Sequence, residues 1–205
     1  MPDDRLEVSR RDVLRGAGVA AFLGAVSPAL GQEGKAAAKG VRTLGPEAVT
    51  FELGVNGKRT RLSVEPRVTL LDALRDRIGM TGTKRACDHG ACGACTVMVD
   101  GKTVNSCLML AVDAAGREVR TIEGLEQDGK LHPMQDAFIE HDAVQCGFCT
   151  PGMIMSCTAL VESNGSPTDE QIRDAVRGNL CRCGTYPHVF EACRTASTGM
   201  KGTGK

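Results

Sequence analysis

From Thr50 the chain alternates. Phe51, Leu53 and Val55 are separated by polar or small residues, Asn56-Gly57 interrupts, and Leu62 and Val64 resume the pattern. Period two on both sides of an Asn-Gly pair predicts a β-hairpin, because its tight turn needs residues that tolerate positive φ. Thr69 with Asp72 reads as a helix start; Leu70, Leu71, Leu74 and Ile78 give a helical apolar stripe, and Gly79 ends it. A Gly- and Cys-rich loop runs over 82–95. Thr96–Val99, turning at Asp100-Gly101, predicts a second hairpin. A short helix around Cys107–Val112 and a strand at Val119–Ile122 follow. Two hairpins flanking one helix, with one more strand, predict a small mixed sheet wrapped on a helix.

Beyond about residue 131 the period changes to 3.6. Pro133 opens a helix carrying Met134, Ala137, Phe138 and His141 on one side. Pro151 opens the next, with Met153, Cys157, Leu160 and Val161 as its stripe and Asn164-Gly165 as its stop. Thr168 with Gln171 is a capping box, Ile172, Ala175 and Val176 follow, and Gly178 closes that helix. A last helix is expected over Val189–Ala196. No internal repeat is visible.

The first 48 residues do not share this grammar. Ser9-Arg10-Arg11-Asp12-Val13-Leu14 reads as a twin-arginine export signal, and Gly16–Val26 is a charge-free Ala- and Gly-rich stretch too short to span a bilayer. Ser27-Pro28-Ala29-Leu30-Gly31 offers small residues for cleavage after Gly31. Residues 1–31 are therefore expected to be a signal peptide for the periplasm, and the aperiodic 32–48 a flexible linker. The twin-arginine route carries folded chains, so thiols exported this way need not become disulfides.

Composition narrows the function classes. The chain has 205 residues, 41% of them hydrophobic and 24% charged, ordinary values for a globular protein. Its 25 basic and 25 acidic residues cancel and aromatics are 3%, which argues against a nucleic-acid partner. No apolar run approaches the roughly 18 residues of a membrane span. The informative count is 10 cysteines, none before Cys87. Each half of the fold is small enough to call for a metal or disulfide staple, and the cysteines fall where staples are needed.

Cys87-x4-Cys92-x2-Cys95-x11-Cys107 has plant-type [2Fe-2S] spacing. Three thiolates converge from one tight loop and a fourth arrives from another element, while Gly90 and Gly93 allow backbone amides to approach the sulfurs. A zinc site on Cys92 and Cys95 fits the gap after Cys87 poorly, and His89 is read as a loop residue. Cys146-x2-Cys149-x31-Cys181-x-Cys183 is less diagnostic: zinc, a second [2Fe-2S] cluster, or a redox dithiol at Cys146 and Cys149 would all suit it. The Cys-x-Cys pair is too close for an unstrained disulfide.

Three segments in order, Cys87-Asp88-His89-Gly90-Ala91-Cys92-Gly93-Ala94-Cys95-Thr96-Val97, Gln145-Cys146-Gly147-Phe148-Cys149-Thr150-Pro151-Gly152 and Gly178-Asn179-Leu180-Cys181-Arg182-Cys183, resemble the small iron–sulfur subunit of the molybdenum hydroxylases, the xanthine dehydrogenase and aldehyde oxidoreductase family. The likeness runs from about Val49 to about Ala196. With the leader and His132-Pro133-Met134-Gln135, it is most similar to the iron–sulfur subunit of periplasmic aldehyde oxidoreductases.

The resemblance implies an α+β chain: an N-terminal β-grasp, plant-ferredoxin-like domain over 49–128, then an all-α four-helix domain over 129–200, each with one [2Fe-2S] cluster. It implies that Cys87, Cys92, Cys95 and Cys107 carry the ferredoxin-type cluster and Cys146, Cys149, Cys181 and Cys183 the helical-domain cluster. It places Gln145 and Cys183 near the molybdopterin of a partner subunit. Molybdenum cofactor and FAD are expected on separate chains. Electrons are expected to pass singly from molybdenum through both clusters to FAD or an external acceptor. One departure stands out: many members read Cys-Arg-Cys-Thr-Gly-Tyr, where this chain has Cys181-Arg182-Cys183-Gly184-Thr185-Tyr186. Cys157 reads as a buried structural thiol and Cys193, outside both sets, as a helix-face thiol, and no catalytic residues for substrate chemistry are assigned. A zinc-stabilised scaffold or assembly protein and a free-standing exported ferredoxin are the alternatives.

Overall fold

β1 (Val49–Val55) and β2 (Lys58–Val64) pair antiparallel with Val55 opposite Lys58. The two residues between them, Asn56 and Gly57, sit at φ 51° and 76°, the left-handed pair that a two-residue hairpin turn requires. A computed structural model describes residues 43–200; the expected export signal and most of the expected linker lie outside the described residues, and 43–48 form neither helix nor strand. β3 (Thr96–Val99) and β4 (Lys102–Asn105) form the second hairpin around Asp100-Gly101, again with positive φ at both turn residues.

β5 (Glu118–Arg120) closes the sheet. It inserts between the hairpins, parallel to β1 and antiparallel to β3, giving the order β2-β1-β5-β3-β4. The strand expected over Val119–Ile122 ends early, and Ile122–Gly124 is a 3-10 turn. Asn56 explains this: its Oδ1 accepts the Thr121 N–H at 2.9 Å and its Nδ2 donates to Thr121 Oγ1 at 3.0 Å, which takes the backbone out of the ladder.

Thr69 starts its helix as the sequence predicts, its Oγ1 accepting from the Asp72 N–H at 3.1 Å. The helix then widens: α1 (Leu70–Asp72) passes into a π-helical turn over Ala73–Arg77, with Ile78 N–H donating to Ala73 C=O at 3.0 Å, and Gly79 stops it at φ 83°. Leu70, Leu71 and Leu74 are buried, whereas Ile78 is only partly so. The helix expected around Cys107–Val112 does not form; a 3-10 turn covers Ala111–Ala114 instead. The Met109 carbonyl is committed elsewhere, accepting the Leu70 N–H of α1 at 2.7 Å, and just ahead of the stretch the Ser106 carbonyl accepts the Leu71 N–H at 3.1 Å.

Four helices follow. α2 (Pro133–Glu140) is capped by His132 and Gln135, and α4 (Asp169–Val176) by Thr168 and Gln171, both as full capping boxes. α3 (Thr150–Ser163) is the central element, and α5 (Tyr186–Met200) extends past the expected Val189–Ala196 at both ends. Their core contains Met134, Phe138, Met153, Met155, Ile172 and Val189. The expected single stripe on α3 is too narrow: Gly152 through Thr158 are all buried. The reason lies in β3, which is buried on both faces. Val97 and Val99 point into the ferredoxin-side core, while Met98 joins the helical core, so α3 is covered by helices on one side and by the sheet on the other.

Candidate metal centres

The first cysteine loop is held at its neck and curled inside. Lys84 N–H donates to Ala94 C=O at 3.2 Å, and Arg75 donates to the carbonyls of Thr81 and Thr83 at 2.8 and 2.7 Å just before it. Asp88, Gly90 and Gly93 all take positive φ, which turns the backbone amides inward. Ala91 N–H donates to Cys87 Sγ at 3.3 Å, and Asn105 Nδ2 donates to the Gly90 carbonyl at 3.1 Å. Cys107 is supplied from beyond β4, where Ser106 binds the Cys95 carbonyl through its N–H at 3.3 Å and its hydroxyl at 2.7 Å.

Electrostatics link all four thiols of this set. The His89 backbone N–H, with a hydrogen bond from Cys92 and the amides of Ala91 and Cys92, brings Cys87 down to about 6, which makes it a thiolate near neutral pH. Burial, together with hydrogen bonding to Cys95, pushes Cys107 up to about 11. Cys95 and Cys107 are buried, while Cys87 and Cys92 are half-exposed. His89 is exposed and its ring turns back onto the Cys87 carbonyl, with Nδ1 and that oxygen 2.5 Å apart.

The second set joins two segments of the helical part. Cys146 and Cys149 flank Gly147, which sits at φ 78°, and Cys149 occupies the N-cap of α3. Cys181 and Cys183 lie in the turn that leads into α5. Burial, with hydrogen bonding to Cys181, raises Cys149 to about 12. Burial also opposes ionisation of Cys181, but the Thr185 hydroxyl, 3.1 Å from Sγ, and the Thr185 amide outweigh it and bring this thiol to about 7. Tyr186 buttresses the same turn, its hydroxyl accepting from Cys181 N–H at 2.8 Å and lying 3.3 Å from Asn179 C=O. The Gly-Thr order after Cys183 has a local role: Gly184 takes φ 79°, and the next position supplies the hydroxyl to Cys181. Gln145, Cys146 and Cys183 are exposed, and Cys181 is buried.

Six of the eight thiols are hydrogen-bonded two by two, Cys87 with Cys92, Cys95 with Cys107, and Cys149 with Cys181. Paired thiols with amide and hydroxyl donors at sulfur fit a binuclear group whose bridging sulfides carry negative charge. Cys157 and Cys193 lie away from both sets, fully buried and hydrogen-bonded to each other between α3 and α5. Sequence reasoning named Asn179 only as part of a motif and gave its buried amide no role. Its Nδ2 donates to Gly93 C=O at 2.9 Å and to Thr96 Oγ1 at 3.3 Å, and its Oδ1 accepts from Ser156 Oγ at 2.8 Å. No periodicity announces such a residue, because it acts across 86 positions of chain.

Two domain families match along the chain. The family described as 2Fe-2S iron-sulfur cluster binding domain matches residues 53–121, and the [2Fe-2S] binding domain family matches residues 121–194. The chain is similar to the aldehyde oxidoreductase iron-sulfur-binding subunit PaoA of Escherichia coli, with 42% identity over 96% of this chain and 91% of that protein. It is similar to the nicotine 6-hydroxylase small subunit of Paenarthrobacter nicotinovorans, with 50% identity over 71% of this chain and 88% of that one. Among solved structures, a chain of quinoline 2-oxidoreductase from Pseudomonas putida 86 superposes with TM-score 0.74 at 42% identity, covering 77% of this chain and 98% of that chain.

Proposed function

Because the chain belongs to the small iron–sulfur subunits of the molybdenum hydroxylases, we propose that it is the electron-transfer subunit of an exported aldehyde oxidoreductase. Its two domains are [2Fe-2S]-binding domains, and it works as part of an oxidoreductase complex. When bound, a [2Fe-2S] cluster in each domain supplies one-electron redox chemistry. Cys87, Cys92, Cys95 and Cys107 hold one cluster; Cys146, Cys149, Cys181 and Cys183 hold the other.

The chain's own residues give the wire a direction. The exposed Gln145, Cys146 and Cys183 present the helical set to a molybdopterin-bearing large subunit. Around them Phe148, Leu180, Val144, Ile139 and Leu131 are exposed apolar side chains, and an open groove of about 370 Å³ runs between α2 and α3. Apolar surface of this kind on a small domain supports a permanent partner. At the other set, exposed Ala91 and Leu108 flank the half-exposed Cys87 and Cys92, a second face from which electrons reach an FAD-bearing subunit or an external acceptor.

Aldehyde as the substrate class rests on reach. The likeness to PaoA spans 96% of this chain and so takes in most of residues 1–48, whereas the likeness to the nicotine 6-hydroxylase small subunit spans 71%. Ser9-Arg10-Arg11-Asp12-Val13-Leu14 supports export by the twin-arginine route.

The observation that carries the reading is the presence of two four-thiol sets, each with backbone or hydroxyl donors aimed at sulfur, within one folded unit. Anaerobic dithionite reduction of the purified protein should give two distinct [2Fe-2S] EPR signals. Colourless protein with bound zinc and no acid-labile sulfide would overturn it.

A further inference from the structure

The two thiol sets belong to different domains, yet they meet at one joint. Leu180 N–H donates to the Cys92 carbonyl at 2.8 Å. Cys92 belongs to the first set, and Leu180 is bonded directly to Cys181 of the second. A continuous path therefore joins the two sets through covalent bonds and a single hydrogen bond. Three features hold that bond in register. Gly93 and Gly178 touch closely enough that a Cβ on Gly93 would lie 2.5 Å from the Gly178 carbonyl oxygen. Gly152 is equally tight against Gly93 from α3. Asn179, only 4% exposed, ties the remaining partners together: it holds Gly93 C=O and Thr96 Oγ1 on the sheet side and Ser156 Oγ on α3.

A buried amide with both Nδ2 hydrogens committed across a domain boundary, and its oxygen held by α3, fixes geometry. An apolar side chain there would leave the Gly93 carbonyl and the Ser156 hydroxyl without this partner and the loop without its tether to α3. From this placement, and resting on the electron-transfer reading above, we infer that Asn179 is a positioning residue for electron passage between the two sets. It acts through the Leu180 N–H to Cys92 C=O hydrogen bond, which it keeps short. Its carboxamide Nδ2 is the part that matters, since that atom grips the first cysteine loop; Oδ1 grips only α3.

The test uses the assembled holoenzyme. Asn179→Asp keeps an acceptor for Ser156 and removes both donors to the sheet side; Asn179→Ala removes everything; Ser156→Ala breaks the same network without touching the loop. Two readouts follow full reduction: the magnetic splitting between the two [2Fe-2S] EPR signals, and the rate at which an electron injected by pulse radiolysis equilibrates between the sets. Both Asn179 variants should retain both signals at full spin count, lose the splitting and equilibrate several-fold more slowly. Ser156→Ala should melt earlier but keep the wild-type splitting and rate. Asn179 variants with unchanged splitting and rate would overturn the inference, and so would loss of both signals in every Asn179 variant, which would make the residue one of folding alone. A wild-type protein lacking two signals would instead sink the electron-transfer reading on which this rests.

Discussion

Gly152 and Gly93 stand back to back: a Cβ built on Gly152 would lie 2.2 Å from the Gly93 carbonyl oxygen and 3.0 Å from Asn179 Nδ2. Neither neighbour can retreat, because Gly93 is itself fenced by the Gly178 carbonyl. Gly152→Ala is therefore an overpacking change at backbone, expected to cost about 1–3 kcal/mol. Gly199→Ala, in α5 where a Cβ meets nothing within 4 Å, should be neutral or stabilise the helix by up to about 1 kcal/mol. Thermal unfolding of the two holoproteins checks the contrast; equal melting temperatures would refute it.

His132 makes the fold sensitive to mild acid. Its Nδ1 accepts the Met134 N–H at 3.2 Å as the cap of α2, so the ring must be neutral there, and burial, with the nearby Arg120 charge, lowers its pKa. A base whose folded pKa is depressed contributes stability that is present above the unfolded pKa of about 6.5 and is lost as pH falls from there through the folded value. His132→Asn keeps a side-chain cap without a titration. The melting-temperature gap between wild type and variant should shift against wild type between pH 7.5 and 5.5, by less than about 1 kcal/mol for a half-exposed group. A gap that stays constant over that range would exclude the effect.

The ten thiols should divide eight to two. Cys193→Ala removes a fully buried sulfur that touches only Cys157 among the cysteines. It should lower stability by about 1–2 kcal/mol and leave iron content and both EPR signals intact. Cys181→Ala should abolish one signal and spare the other. Iron analysis and EPR of the two proteins decide the matter, and an iron deficit in Cys193→Ala would count against the division.

Phe138 and Ile139 are neighbours on α2 with opposite surroundings, 1% and 63% exposed. Phe138→Ala should cost about 3–5 kcal/mol by emptying the helical core. Ile139→Lys places a cation near the end of α2, where the helix dipole tolerates it, and should leave the isolated subunit's melting unchanged. Under the proposed function it should also weaken co-purification with the molybdopterin-bearing subunit. Undiminished co-purification would remove the groove beside Ile139 from the docking face.

Much of this architecture is written locally. Asn56-Gly57 and Asp100-Gly101 set both hairpins, and Thr69, His132-Pro133 and Thr168 mark helix starts that the structure places at Leu70, Pro133 and Asp169. What local pattern misses is long-range competition. The Cys107–Val112 stretch has helical spacing, but the first amide of α1 takes its Met109 carbonyl. Ile122 leaves its strand because a turn residue, Asn56, far away in sequence takes the Thr121 backbone. The α3 stripe spreads around the whole helix because β3 offers it a second wall. At the centres, spacing brings out the thiols themselves, while the groups that tune them, Thr185 at Cys181 and Asn179 at the joint, carry no periodic signature.

The parallel pairing of β1 with β5 sets an order of events during biosynthesis. As the polypeptide leaves the ribosome, the first hairpin can zip at once, but its inner edge stays open until Val119 appears and slots in beside Val55. By then the loop holding Cys87, Cys92 and Cys95 has already emerged, without the completed sheet beside it, and Cys181 has yet to be made. All four cysteines of the first set, Cys107 included, are thus made before the sheet can close, and a slow translation stretch before residue 119 is expected to prolong the interval in which these thiols stand without it.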